Sequence, residues 1–210
     1  INSFAEEYSG IDFYMSVIPN ATEVNADLVP AGAPIRNQRV DINGIKRLVG
    51  ENVEFIDVLE TLAAHNDEQL YYRSDHHWTS LGAKYAFEKI ADNMNLYIEG
   101  QKYQIYSVAD GFSGTMAAAS GDFNVTDRVE IYVPDPEVEY YVEYSGDAVK
   151  YSSIYNSSAL ENKNKYEVFF GGNYPKITIT TLSDTGRNLL ILKDSYANCF
   201  IQFLLPHFDK

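Results

Sequence analysis

Residues 71–83 read YYRSDHHWTSLGA and combine an acid, two imidazoles and an indole at four consecutive positions. In an extended or turn backbone, residues two apart project to the same side. The Asp75 carboxylate is therefore placed to meet the ring of His77, while the other histidine points away. Thr79 or Ser80 can then cap a long helix, because small hydroxylated residues are favoured at helix starts. The stretch predicts an acid–base pair on a loop that runs directly into a helix.

A second stretch, residues 189–195, reads LLILKDS and predicts a buried strand that ends on a serine. A helix is predicted over residues 196–205, so Ser195 stands at a strand-to-helix turn. Such a turn exposes a side chain at the carboxyl edge of a sheet. A serine nucleophile needs a base, and the base needs an acid to hold its tautomer. We therefore expect Asp75 and His77 to meet Ser195 in space as acid, base and nucleophile.

Strand-like and helical patterns alternate in the first half of the chain. Residues 11–19 and 53–56 are rich in β-favouring apolar residues and predict strands. Residues 42–49 and a segment from about Asp57 have apolar residues at helical spacing and predict helices. The alternation favours an α/β fold with a doubly wound, mainly parallel sheet and helices on both faces.

The pattern changes near residue 100, where strand-like runs punctuated by glycines replace helical periodicity. We interpret residues 100–182 as an antiparallel β insertion in a core made of residues 1–99 and 183–210. Its predicted strands are residues 103–108, 128–133, 137–144 and 176–181. Ile1 is not an initiating Met, and a doubly wound fold would continue beyond the last helix. We therefore expect the core to be truncated at both ends.

Composition narrows the class of protein. The 210 residues are 45% hydrophobic and 22% charged, which is enough to bury a core. The net charge of −14 disfavours nucleic-acid and anionic-membrane surfaces, both of which need clustered Lys and Arg. Cys199 is the single cysteine, so no intramolecular disulfide can form. Cysteine usage therefore does not distinguish a cytosolic from an exported protein. Nothing in the sequence calls for a cofactor, and we expect no metal site.

The tetrad DHHW at residues 75–78, together with LKDSYA at residues 192–197, resembles the DHHW family. That family is related to the SGNH-like acyltransferases that O-acetylate bacterial exopolysaccharides, such as the alginate acetyltransferases. In that group an Asp-x-His-Trp motif supplies the acid and base, and a later Asp-Ser turn supplies the nucleophile. Matched residue by residue, the resemblance implies Asp75, His77 and Ser195.

The resemblance covers about residues 10–205 and implies an SGNH-hydrolase-like fold. It implies serine-dependent acyl transfer on a cell-envelope or exported polysaccharide, by an O-acetyltransferase or an acetylesterase. The implied partners are an acyl donor and a polysaccharide or other glycan acceptor, with no nucleic acid. The implied setting is extracellular or in the cell envelope, with membrane attachment only through an N-terminal anchor that this sequence does not contain.

Further residues are candidates for the oxyanion hole or for lining the cleft. The backbone N–H groups of Ser195 and Tyr196 would form part of an oxyanion hole. Gly172 and Asn173, in FFGGNY at residues 169–174, are a candidate pair, although a hairpin turn explains them equally well.

Three more residues bear on the site. Trp78 is large enough to wall the imidazole. Arg187 stands just ahead of the predicted catalytic strand, where it either lines the cleft or belongs to a surface turn. Lys193 occupies the place of the glycine in the SGNH Gly-Asp-Ser block, which puts the backbone geometry of that block in question here.

Alternatives stay open at this level. If Asp75 capped the following helix and Ser195 were a helix N-cap, both motifs would have a structural role and no catalytic one. Metal binding by residues 75–77 is another reading, although adjacent histidines diverge. The rival function is a non-catalytic carbohydrate-binding or structural envelope protein, suggested by the tyrosine-rich insertion. A separation above about 8 Å between Ser195 and His77 would exclude the triad.

Overall fold

The computed structural model describes residues 1–210 as a mixed α/β fold. Its helices are α1 (Asn2–Glu7), α2 (Ala21–Val24), α3 (Gln38–Leu48), α4 (Leu59–Ala63), α5 (Ser80–Asn93), α6 (Thr115–Ser120) and α7 (Ala197–Phe200), with 3₁₀ turns at Ala26–Leu28, Ser157–Glu161, Lys165–Val168 and Ile201–Phe203. Its strands are β1 (Tyr14–Met15), β2 (Glu54–Phe55), β3 (Lys102–Phe112), β4 (Asp127–Asp135), β5 (Tyr140–Tyr144), β6 (Lys150–Tyr151) and β7 (Ile177–Thr181). No helix combines the length and apolarity needed to cross a membrane.

Three small sheets replace the predicted doubly wound parallel sheet. Only β1 and β2 pair in parallel, and each contributes two residues. β3 pairs with β4 in antiparallel, and β5 lies between β6 and β7 in a second antiparallel sheet. The mixed α/β class is confirmed, but most of the strand pairing is antiparallel.

The predicted buried strand over residues 189–192 is wrong. The segment belongs to no sheet, and Leu190 and Leu192 are 80% and 91% exposed. Only its beginning is paired: Leu189 N donates to Lys210 O, and Asp209 N donates to Arg187 O. A short apolar run does not reveal how many neighbouring strands it has, because that depends on distant residues.

The β-rich middle of the chain forms antiparallel pairs as predicted, since β3, β4, β5 and β7 overlap the four predicted strands. These strands do not form a core of their own. A single cluster of 30 buried residues includes Val142 and Phe169 of this region together with Leu59, Phe87 and Phe203 of the flanking segments. The division into a core and an insertion at residues 100–182 stays a prediction.

The predicted cap of the long helix is confirmed and anchors the loop before it. Thr79 Oγ1 accepts from Gly82 N at 3.2 Å, and Thr79 N donates to Leu70 O at 2.8 Å. Tyr72 N donates to His77 O at 3.1 Å, which closes the loop on itself. Side chains on this loop are therefore held by backbone bonds at both of its ends.

Candidate active site

Asp75, His77 and Ser195 form one continuous line of hydrogen bonds. His77 Nδ1 lies 2.6 Å from Asp75 Oδ1, and His77 Nε2 lies 2.8 Å from Ser195 Oγ. Both Asp75 and His77 are buried, so bulk water does not compete for these bonds. The contact between His77 and Ser195 joins residues 118 positions apart in sequence. The separation lies far inside the 8 Å limit, and the arrangement has the geometry of a charge-stabilised base beside a hydroxyl.

Four donors hold the Asp75 carboxylate. His77 supplies its ring nitrogen and its backbone N–H, and Thr115 supplies its backbone N–H at 2.8 Å and its Oγ1 at 3.0 Å. Burial by itself raises the pKa of Asp75, but the hydrogen bonds from His77 and Thr115 outweigh it and lower the pKa well below the usual value. Asp75 therefore stays ionised and can hold one tautomer of the imidazole.

Gly114 allows this arrangement because its backbone lies directly against Asp75. A Cβ at Gly114 would be 2.7 Å from Asp75 Cγ and would overlap the carboxylate. We expect Gly114→Ala to displace Asp75 and to lower kcat for ester hydrolysis by about 10- to 100-fold, because misplacement by about 1 Å is enough for such losses.

The matched control is Gly44→Ala on α3, where a Cβ would meet nothing within 4 Å. Steady-state kinetics of the two variants with the same ester would show whether space at residue 114 matters. Equal kcat values would mean that the carboxylate does not need this close approach.

His76 makes no hydrogen bond to the serine, although it lines the same cleft. Its side chain is 47% exposed, and its Nδ1 lies 2.6 Å from Thr115 Oγ1. Desolvation, and then the neighbouring His77, lower the pKa of His76. The geometry thus places His77, rather than His76, between the acid and the hydroxyl.

Tyr166 forms the wall against which the His77 ring rests. The two rings stack with centroids 3.8 Å apart and planes 11° apart. The Tyr166 hydroxyl donates to the carbonyls of Ser195 at 2.9 Å and Tyr196 at 3.3 Å. Burial raises the pKa of Tyr166, so the hydroxyl stays a donor. One buried side chain therefore contacts both the base and the backbone of the nucleophile.

We expect Tyr166→Phe to keep the stacking and lose only the two hydroxyl contacts, because phenylalanine has the same ring. The carbonyls retain other donors, Asn198 N for Ser195 and Trp78 Nε1 for Tyr196. The predicted loss is therefore about 1 kcal/mol of unfolding free energy and about fivefold in kcat. Tyr166→Leu, measured in parallel by thermal melts and kinetics, should lose clearly more activity, and an equal loss in both variants would contradict a role for the ring.

The turn at Ser195 uses one of its two candidate oxyanion donors internally. Asp194 Oδ1 accepts from Tyr196 N at 2.9 Å, so the predicted role of the Tyr196 N–H in an oxyanion hole is wrong. The Ser195 N–H has no hydrogen-bond acceptor in the protein. Asp194 is thus a turn residue, and the amide of Ser195 itself is left free.

Gly172 and Asn173 line the same cleft as the catalytic candidates. The cleft has a volume of about 230 Å³ and includes His77, Ser195 and the two loop residues. The backbone N–H groups of Gly172 and Asn173 donate to no protein acceptor. Gly172 has φ +119°, a conformation that side chains rarely adopt. Two residues that line the cleft therefore have backbone amides without a protein partner.

Trp78 and Arg187 do not line the cleft. Trp78 is buried, and its Nε1 donates to Tyr196 O at 2.8 Å, so it supports the nucleophile turn from behind while Tyr166 walls the imidazole. Arg187 donates from Nε to His207 O at 3.2 Å and is not among the residues that line the cleft. The cleft-lining reading of Arg187 is wrong, and the surface-turn reading fits.

The donor atoms of residues 75–77 lie within 4.8 Å of one another, which is close enough to consider a metal ion. Each histidine Nδ1 already has a partner, Asp75 for His77 and Thr115 for His76. A metal ion on these atoms would have to replace contacts that order the site. The hydrogen-bonding pattern therefore favours the acid–base reading.

Three contributors to the site were not identified from sequence: Thr115, Tyr166 and Asn198. All three line the cleft. The only local signal is Gly114-Thr115, a small pair directly after a strand-like run. Tyr166 is one of 17 tyrosines, and composition gives no reason to choose it.

Solved structures share this fold over the whole chain. A DHHW family protein from Eubacterium siraeum DSM 15702 is 29% identical with a TM-score of 0.81, covering 99% of this chain and 71% of its own. Bacillus cereus PatB1 with a sulfonyl adduct is 17% identical with a TM-score of 0.79, covering 100% of this chain and 74% of its own. A second PatB1 structure is 17% identical with a TM-score of 0.76, covering 99% and 75%. Because the sequence identity to PatB1 is low, these two structures support a shared fold and nothing more.

No curated protein sequence matches this chain. A family model described as "DHHW protein" matches residues 1–210, which is the full chain. The tetrad at residues 75–78 that gives this description its letters is the loop that carries the acid and the base. The chain belongs to the DHHW family.

Proposed function

We propose that this chain is a serine-dependent acyltransferase or esterase that acts on O-acyl groups of a polysaccharide. The observation that carries the proposal is the line of hydrogen bonds from Asp75 through His77 to Ser195, at 2.6 and 2.8 Å. A non-catalytic carbohydrate-binding protein would have no need to hold a buried carboxylate, an imidazole and a hydroxyl in this order.

In the first half-reaction, Ser195 Oγ attacks the acyl carbon of the donor ester. His77 Nε2 takes the hydroxyl proton, and Asp75 stabilises the imidazolium that results. When the tetrahedral intermediate collapses, the ester C–O bond breaks and His77 gives the proton to the departing alcohol. The products are the free alcohol and an acyl group on Ser195.

In the second half-reaction, a hydroxyl of the acceptor attacks the acyl carbon bound to Ser195. His77 takes the proton of that hydroxyl and returns it to Ser195 Oγ as the acyl–enzyme bond breaks. A glycan hydroxyl as acceptor makes the enzyme a transferase, and water makes it an esterase.

The unpaired amides supply the electrostatic part of the mechanism. Ser195, Gly172 and Asn173 line one cleft, and their backbone N–H groups lack protein acceptors. Donors of this kind stabilise the oxyanion of a tetrahedral intermediate, typically by about 3–4 kcal/mol each. We assign these amides to the oxyanion hole in place of the Tyr196 N–H.

The cleft favours a small acyl group and a hydroxylated acceptor. It has a volume of about 230 Å³ and is lined mainly by polar residues, among them Asn164 and Glu167. The net charge of −14 favours a neutral glycan over a polyanionic one. From the family resemblance we further propose that the protein works outside the cell or in the cell envelope.

The proposal is tested by trapping the acyl-enzyme. The protein is mixed with p-nitrophenyl acetate, quenched with acid and mapped by peptide mass spectrometry. We expect one acetyl group, carried by Ser195, and a burst of p-nitrophenol equal to the enzyme concentration. No acetylated peptide, or acetylation at another residue, would overturn the proposed function.

The choice between transferase and esterase is tested with neutral oligosaccharides added to the same reaction. Transfer is shown by O-acetylated oligosaccharide in the mass spectrum, and its amount should rise with acceptor concentration as free acetate falls. Unchanged acetate release at all acceptor concentrations would identify water as the acceptor.

A further inference from the structure

Lys193 lies two residues before Ser195, and the structure gives it a partner. Its Nζ donates to Asn198 Oδ1 at 2.5 Å. Asn198 Nδ2 donates in turn to Asn173 Oδ1 at 3.3 Å. Three residues thus form a chain of hydrogen bonds that ends beside the cleft.

The donor-to-acceptor direction of these hydrogen bonds follows from the chemistry of Lys193. A lysine ammonium group has three donors and no acceptor, so the atom of Asn198 that faces it must be the amide oxygen. The NH₂ group of Asn198 must then face Asn173, which can only receive it with its own amide oxygen. The NH₂ group of Asn173 is left without a protein acceptor.

Because Asn198 is buried, turning its amide over would cost free energy. Asn198 is 2% exposed, so neither end of its amide has bulk water as a substitute partner. If Asn198 turned over, its NH₂ group would face the Lys193 ammonium and its oxygen would face the Asn173 oxygen. The first contact would then set donor against donor, and the second would be kept only if Asn173 turned its own NH₂ group towards Asn198 and away from the cleft.

We propose that Lys193 and Asn198 are positioning residues that hold Asn173 with its Nδ2 donor towards the cleft, where it joins the oxyanion hole. The inference rests on the proposed function, in which an oxyanion forms at Ser195. It gives a role to the long basic side chain beside the nucleophile turn. It also explains the buried asparagine one helical turn after Ser195.

The sharpest test is Asn198→Asp. The carboxylate keeps the Lys193 partner but cannot donate to Asn173, so the Asn173 amide is expected to turn its NH₂ group towards the carboxylate and away from the cleft. We expect kcat to fall about 100-fold, the loss typical of one oxyanion donor, with KM changed less than threefold. Lys193→Met removes the ammonium group, so the Asn198 amide is no longer held in one orientation, but it is not forced into the opposite one. This variant should lower kcat about 10-fold.

Two controls separate positioning from folding. Lys46→Met on the exposed face of α3 removes a positive charge outside the cleft and should leave kcat unchanged. In an Asn173→Ala background, Asn198→Asp and Lys193→Met should have little further effect on kcat, because both act through the missing amide. Losses that simply multiply in the double variants would overturn the inference, as would a Lys193→Met variant with wild-type kcat.

The orientation is also measured without turnover, from hydrogen exchange of side-chain amides in ¹⁵N-labelled protein. In wild type the Asn198 NH₂ group should exchange at least 10-fold more slowly than that of Asn173, and Lys193→Met should reduce the difference. Equal exchange in wild type would overturn the inference whether or not the enzyme turns over. Slow exchange of Asn198 together with no acetylation of Ser195 would instead support the orientation and reject the proposed function.

Discussion

Ser195→Ala is expected to lower kcat for p-nitrophenyl acetate hydrolysis by about 10⁴-fold or more, because no other group can carry the acyl intermediate. The side chain is only partly buried and the hydroxyl makes one hydrogen bond, to His77. The melting temperature should therefore change by no more than about 2–3 °C. Initial rates above the uncatalysed background, together with a thermal melt of each protein, provide the measurement.

The matched control for this change is Ser107→Ala, which removes an exposed hydroxyl on β3 that makes no side-chain hydrogen bond. It should keep the wild-type kcat. If Ser195→Ala retained more than about a tenth of the wild-type rate while Ser107→Ala was unaffected, the nucleophile would have to be another group.

Asp75→Asn is the second large effect, with an expected fall in kcat of about 10³- to 10⁴-fold. The carboxylate accepts from His77 and from two donors of Thr115. An amide has only one acceptor oxygen, so its NH₂ group must face either the imidazole N–H or the Thr115 donors. Either orientation disturbs the tautomer that presents an unprotonated Nε2 to Ser195.

The control here is Asp194→Asn, because Asp194 uses only Oδ1, to accept from Tyr196 N. An amide oxygen can replace that contact, so kcat should fall by less than about threefold. Comparable losses in the two variants would show that negative charge near the cleft, and not the hydrogen-bonding role of Asp75, controls the rate.

The lowered pKa of Asp75 predicts how the stability effect depends on pH. A carboxyl whose folded-state pKa is depressed contributes stability above its unfolded pKa, which is about 3.9, and that contribution is lost as pH falls through the folded value. The difference in unfolding free energy between wild type and Asp75→Asn should therefore be largest near neutral pH and shrink below about pH 4. Urea titrations at several pH values would measure it, and a constant difference would argue against an ionised Asp75 as the source.

Local chemistry explains why the acid and the base were predictable. Asp75 and His77 are two positions apart on a loop closed by its own backbone bonds, so their contact depends on few distant residues. The cap at Thr79 is similarly local, because the acceptor and the donor belong to the same helical turn.

The supporting residues could not be predicted from the sequence because each contacts a residue that is far away along the chain. Thr115 lies 40 positions from Asp75, and Tyr166 lies 29 positions from Ser195. A tyrosine or threonine in an ordinary strand-rich region carries no sign of its partner. The strand predicted at residues 189–192 failed for the same reason, since the number of strands beside it depends on residues elsewhere.

By itself the sequence determined the mixed α/β class, the capped helix and the pairing of an acid with one particular histidine, because spacing and capping depend on nearest neighbours along the chain. Only the tertiary structure decided that the loop at residues 71–83 meets Ser195, that Tyr166 and Thr115 hold the base and the acid, and that the Tyr196 amide is already used. Those outcomes depend on how antiparallel strands and one shared core bring distant segments together. Packing of this kind is a property of the whole chain and not of any single motif.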